Sequence, residues 1–212
     1  MLVSDITTVA LKILLDETED YWSANELVPY VDEGQKEIFK LKPDVSTGID
    51  ASFSTAAGAL QTLPSGAVVL IDVPRNASGQ AITSVNRPDL DRVQPGWTTA
   101  SQTNVIEHYM YEARDPTRFW VYPPAQSAAS LVVIYAQPPT QVTATTSTVS
   151  IGDEWYGSLL SFTLYRAHTK TSKAAMPQHA IAHYQAFLRQ MGQLDAAEAL
   201  AAGGGPEIKE AM

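Results

Sequence analysis

The sequence contains no cysteine. Disulfides, thiol nucleophiles and cysteine-ligated zinc or iron–sulfur centres are therefore excluded. Charge is scarce as well: Asp, Glu, Lys and Arg make up 17% of the 212 residues, below the usual quarter. No apolar run approaches the roughly 20 residues that a membrane helix needs. The opening Met1-Leu2-Val3-Ser4-Asp5 has no basic n-region, so no signal peptide is expected. No Gly-x-Ser-x-Gly elbow and no Gly-Lys-Thr phosphate loop occurs. These absences point to a soluble, non-enzymatic protein of a reducing compartment, with no metal and no cofactor.

Hydrophobic residues are 45% of the chain, enough for a packed core. Thirteen Pro and twelve Gly imply frequent turns. The formal charge of −9 is unevenly spread, because residues 1–50 hold eleven acids and four bases. A sequence-reading nucleic-acid binder shows a basic face to phosphate; none is visible, which argues against that class.

The chain reads as three parts. In the first, Ser4 and Asp5 can cap a helix whose apolar face is Ile6, Val9, Ala10, Ile13 and Leu14. Ser23 and Glu26 form a capping-box pattern ahead of Leu27, Tyr30, Val31, Gly34, Ile38 and Leu41. Pro29 weakens the start of this second helix, and Lys42-Pro43-Asp44 ends it. In the second part, short alternating or β-branched segments at 67–73, 81–85, 105–112, 118–122 and 131–135 predict strands. Residues 87–92 read as one helical turn. In the third part, Asp153 caps a helix running to about residue 173. Pro177 opens another helix that carries Ile181, Tyr184, Phe187, Leu188 and Met191, with an Ala-rich extension to Ala202.

Each helix pair alone would leave an apolar stripe exposed. The expected fold is therefore α+β: a four-helix bundle-like domain built from the N- and C-terminal pairs (residues 1–45 and 152–202), with an inserted antiparallel β-sandwich or barrel at 46–151 and a flexible tail at 203–212.

Several residues invite chemical readings. His179 and His183 have the i, i+4 spacing of two metal ligands, but Ala180 stands where a zinc-protease helix carries its general-base Glu; a polar helix face accounts for them. Asp16, Glu17, Glu19 and Asp20 have neither the glycine nor the spacing of a calcium loop and read as a solvated interhelix loop. Glu107 and Glu112 would face opposite sides of a strand, so they do not form a hydrolytic carboxylate pair. Tyr109, Tyr111, Phe119, Trp120 and Tyr122 lack interleaved bases, so cross-strand packing is the better account.

Three runs carry a resemblance. They are Trp22-Ser23-Ala24-Asn25-Glu26-Leu27 with Tyr30-Val31-Asp32-Glu33-Gly34-Gln35-Lys36-Glu37-Ile38 and Leu41-Lys42-Pro43-Asp44; Glu107-His108-Tyr109 with Arg114-Asp115-Pro116 and Phe119-Trp120-Val121-Tyr122-Pro123-Pro124; and Leu164-Tyr165-Arg166-Ala167 with His183-Tyr184-Gln185-Ala186-Phe187-Leu188. In order and spacing they resemble the head-to-tail adaptor (connector) proteins of tailed bacteriophages, over residues 1–192.

The resemblance implies a structural virion protein of the neck, made in the host cytoplasm. It implies a ring, commonly of twelve copies, that docks below the portal protein, extends the DNA channel and receives the tail or nozzle protein. It implies no catalytic residue, no cofactor and no membrane. Three sites follow as expectations. Acidic Glu17, Glu19 and Asp20 would face the channel or its rim, where phosphates pass without sticking. The tail, through Gly203, Gly204, Gly205, Pro206, Ile208 and Met212, would order on the portal. Trp97 of the β insertion would sit at a subunit or tail interface. The alternative readings are another neck or tail component (a head-completion or tail-terminator protein) and a carbohydrate-binding or hydrolytic virion module.

Overall fold

A computed structural model of the protein describes residues 1–170 and 173–192. The chain divides into two compact units, Met1–Val45 with Pro139–Met212, and Ser46–Pro138.

The first unit holds helices α1 (Val3–Ile13), α2 (Ala24–Leu41), α4 (Tyr156–Thr169) and α5 (Pro177–Gln190). The cap of helix α1 lies two residues before the expected Ser4: Leu2 is the N-cap, and Asp5 caps from inside the first turn by accepting the Leu2 N–H at 2.8 Å. At α2 the expected Ser23 cap forms, its hydroxyl accepting from the Glu26 N–H at 3.1 Å. The Glu26 carboxylate does not reach back but takes Lys170 at 2.8 Å. Pro29 lies inside α2 without ending it.

Helices α2 and α4 approach closely at Gly34, where a Cβ would stand 3.2 Å from both Leu159 Cδ2 and Phe162 Cδ1. Val3, Ile6, Val31, Ile38, Leu159, Phe162 and Phe187 form the main core beside that contact. Trp22, Leu27 and Leu164 centre a second cluster, tied by the Trp22 indole N–H donating to the Ala167 carbonyl at 3.1 Å.

The expected four-helix bundle is not what forms. The described residues hold five α-helices and two sheets, of three and four strands. Helix α5 packs along α4 and α1 along α2 and α4, while a non-helical strap closes the core. That strap, residues 139–151, buries Val142, Val149 and Ile151 beside the helices. Its backbone is held by side chains of α2: Asp32 accepts from the Val142 N–H at 2.9 Å, and Gln35 donates to the Thr140 carbonyl at 2.8 Å. The strap also carries the start of α1, its Ser147 and Thr145 carbonyls accepting from the Val3 and Ser4 N–H groups. A buried polar pair on α2 thus satisfies backbone that no regular ladder reaches.

The second unit contains β1 (Thr47–Ser54), β2 (Gly58–Thr62), β3 (Val69–Asn76), β4 (Thr83–Ser84), α3 (Arg87–Val93), β5 (His108–Tyr111), β6 (Arg118–Ala125) and β7 (Ser130–Ala136). The sheets run β1-β7-β3 and β2-β6-β5-β4. Phe53, Val73, Leu131 and Val133 of the first sheet share a core with Tyr109, Phe119 and Val121 of the second. The expected purely antiparallel insertion needs correction too, because β4 pairs with β5 in parallel. The chain turns at Asn76–Gly79, yet β3 and β4 form no ladder; β3 is joined to the segment ahead of β4 by the Arg75–Ala81 bridge and by the Ile82 N–H donating to the Pro74 carbonyl at 3.0 Å. It then passes through α3 and a 3-10 turn at Trp97–Thr99 before β5, the long crossover that a parallel pair requires.

Candidate functional site

The acidic loop between α1 and α2 is built around Asp16, which is buried. Its carboxylate accepts from the backbone N–H groups of Asp20 (2.9 Å), Tyr21 (2.9 Å) and Trp22 (2.7 Å). Burial pushes this carboxyl up, but the three N–H donors and the nearby Lys170 charge outweigh it, so it titrates below the ordinary carboxylate range. The loop contains two non-glycine residues in the left-handed region, Leu15 (φ 56°) and Glu19 (φ 60°), a conformation costing about 1–2 kcal/mol per residue.

The three acids expected at a channel are not equivalent here. Glu19 accepts from the Ala24 N–H at 3.0 Å, satisfying a free donor at the start of α2. Asp20 accepts from the Thr18 hydroxyl at 2.7 Å. Glu17 is exposed, and with Glu19, Thr8 and Lys12 it lines a cavity of about 190 Å³. Leu15, at the start of this loop, is 92% exposed. Lys170 fastens the loop from behind by donating to the Tyr21 carbonyl at 2.7 Å. Arg166 pairs with Glu33 at 2.7 Å and lies over the Tyr30 ring.

Sequence reasoning missed a third histidine beside His179 and His183. His168, near the end of α4, stacks on His183 with ring centroids 5.7 Å apart and meets His179 edge-on at 5.2 Å. These rings line a cavity of about 360 Å³ with Ile13, Leu14, Leu15 and Met176. Only their spacing across two helices reveals the group, since residues 168 and 179 lie in different elements. Among the described residues no group of three or more His, Asp or Glu has the arrangement of a metal site.

In the second unit Trp97 is 2% exposed. It packs on Ala59 and Met110, donates its indole N–H to Asp91 at 2.7 Å and meets the Tyr122 ring edge-on. The side chain anchors the segment after α3 to the outer face of the second sheet, and Val93 at the end of α3 is 82% exposed. The aromatic set divides between two faces, as alternation requires. Tyr109 and Phe119 point into the inter-sheet core, while Trp120 and Tyr122 point towards Trp97. Glu112 and Asp115 form ion pairs with Arg87 (3.9 Å) and Arg118 (2.6 Å), so neither joins a carboxylate dyad.

Gly203, Gly204, Gly205, Pro206, Ile208 and Met212, the expected portal-binding residues, lie outside the described residues, as does the expected helical extension to Ala202. No described helix is long and apolar enough to cross a membrane.

A family model described as "SU10 adaptor protein" matches residues 1–207. No curated protein matches the chain.

Proposed function

Because the chain belongs to the SU10 adaptor protein family, we propose that it is the head-to-tail adaptor of a tailed phage, assembled as a ring beneath the portal. Membership makes it a structural component of a phage virion that contacts other head, neck or tail proteins. The whole-chain family match is the observation that carries the finer reading, and it agrees with the three runs that resemble phage adaptors.

In this reading the ring extends the DNA channel and receives the tail or nozzle protein. The concentration of acid in residues 1–50 supports a surface past which DNA slides without adhering, with Glu17, Glu19 and Asp20 of the α1–α2 loop all exposed. Residues 203–212 reach the portal, and the segment anchored by Trp97 contributes to contacts between subunits or with the tail. Leu15 and Val93, aliphatic and almost fully exposed, suit a chain that works packed among neighbours.

The test is binding of the full chain and of a chain ending at residue 202 to the portal ring of the same phage, by size-resolved mass measurement. Binding of the full chain supports the adaptor reading, and its weakening in the shorter chain assigns the contact to the tail. A protein found elsewhere in the particle, with no portal affinity, favours a head-completion or tail-terminator role.

A further inference from the structure

The start of α5 is held by an acceptor that a single proton removes. Met176 is the N-cap of α5, and its carbonyl accepts from the His179 and Ala180 N–H groups at 3.0 and 3.2 Å. Its own N–H donates to His168 Nδ1 at 3.3 Å. Nδ1 accepts only when it carries no proton, so the ring at the end of α4 is neutral, with its hydrogen on Nε2. Protonation turns Nδ1 into a donor that faces a donor.

The surroundings offer a second proton little compensation. From α1 and the following loop the wall is Ile13, Leu14 and Leu15, and from the connection between α4 and α5 it is Ala174 and Met176. Trp22, just ahead of α2, presents its ring edge to His168 at 6.1 Å between centroids. From α5 come His179 and His183 themselves. Among the described residues no carboxylate lines this cavity. Lys170, the cation two residues past His168, is paired with Glu26, and Lys173 in the connection is exposed. His179 sits in the first turn of α5, whose positive dipole end opposes an added positive charge.

We propose that His168 and His183, with His179 packed edge-on against His168, form a proton-sensitive clasp, which holds the start of α5 against α4 while the His168 and His183 rings are neutral and releases it when these two charge. Two effects act in the same direction. The Met176 N–H loses its acceptor, and like charges arise on rings stacked 5.7 Å apart. His168 and His183 are both held below the ordinary histidine range, by burial first and then by the neighbouring histidines. A native group with a depressed pKa binds fewer protons than the unfolded one. The clasp is therefore fully closed above the free histidine value of about 6.5 and is lost as pH falls through the lower native values. The device rests on contacts within the helical unit and does not depend on the adaptor reading.

The experiment follows histidine ring resonances and amide exchange of the full chain by NMR between pH 8 and pH 5. Expected are titrations of His168 and His183 below the free value. Expected too is a loss of protection over residues 177–184 of about tenfold for each pH unit by which the native pKa is depressed, relative to the α2 amides and corrected for intrinsic exchange. His168→Asn keeps an acceptor near the Nδ1 position but cannot be protonated, so the pH dependence of its α5 protection should shrink to the part that His183 alone supplies. The proposal is overturned if His168 titrates at or above the free value, if α5 and α2 lose protection together, or if His168→Asn keeps the wild-type pH dependence. Should that variant fail to fold, the wild-type titration and exchange decide alone.

Discussion

The carboxylate of Asp32 accepts the backbone N–H of Val142 at 2.9 Å, across 110 residues of sequence. The same side chain takes Gln35 at 3.0 Å and Lys36 at 2.5 Å. One buried acid on α2 therefore docks the strap that returns from the β unit. Asp32→Ala would strand the Val142 N–H and is expected to cost about 2–3 kcal/mol, read as a lower denaturation midpoint at unchanged slope. Asp32→Asn keeps an acceptor and should cost less.

Acid sensitivity follows from the same contacts. Burial pushes the Asp32 carboxyl up, but Lys36, the Val142 N–H and Gln35 together hold it below the ordinary range. Its native form binds fewer protons than its unfolded form near pH 4, so its contribution is present above the unfolded value and lost as pH falls through the native one. Urea titrations at pH 7 and pH 3 should show a smaller loss of stability in Asp32→Asn than in the wild type.

Gly34 tests the close approach of α2 to α4. Gly34→Ala gains helix propensity of about 1 kcal/mol, but its Cβ meets Leu159 and Phe162 at 3.2 Å. A valine adds two methyl groups to that contact. Gly34→Val should destabilise by about 1–3 kcal/mol, while Gly34→Ala stays near neutral, both measured by thermal unfolding.

Much of this was legible in the sequence, and what was not has a physical reason. Helix α2 is bounded by Ser23 and Lys42-Pro43, and α5 opens at Pro177; both signals are local. Strands β1 and β2 were not expected. Most of the Thr47–Ser54 strand is exposed or half-buried, so no apolar alternation marks it, and Gly58 opens the five-residue β2. The strap 139–151 carries three isolated aliphatics without a period, and its place is set by Asp32 and Gln35 on a distant helix. The bundle expectation failed for that reason: pairing four amphipathic helices leaves no place for an irregular segment that fills the same core. The histidine cluster was half visible, because His179 and His183 share a helix face and His168 comes from the element before.

Trp97 separates packing from interface. Trp97→Ala should destabilise the β unit by about 3–5 kcal/mol, whereas Trp97→Phe retains most of the ring contact and loses the bond to Asp91. If Trp97→Phe is nearly as stable as the wild type yet assembles poorly, the anchored segment lies at an interface; if assembly simply follows stability in both variants, the residue acts as core.

For DNA passage, Glu17→Lys is the cleaner probe of the acidic loop. Reversal at Glu19 also removes the acceptor for the Ala24 N–H, and reversal at Asp20 that for Thr18. Glu17→Lys in assembled particles should slow genome ejection, most at low salt where exposed charges are least screened. Ejection indistinguishable from wild type at every salt concentration would place the loop on an outward face.

The most direct measurement is electron microscopy of this protein mixed with the portal ring of its own phage in filled heads. The account predicts a second ring, coaxial with the portal and directly below it, with the channel continuous through both. Density for this chain at the distal end of the tail, or filled heads whose portal stays bare in its excess, would contradict it.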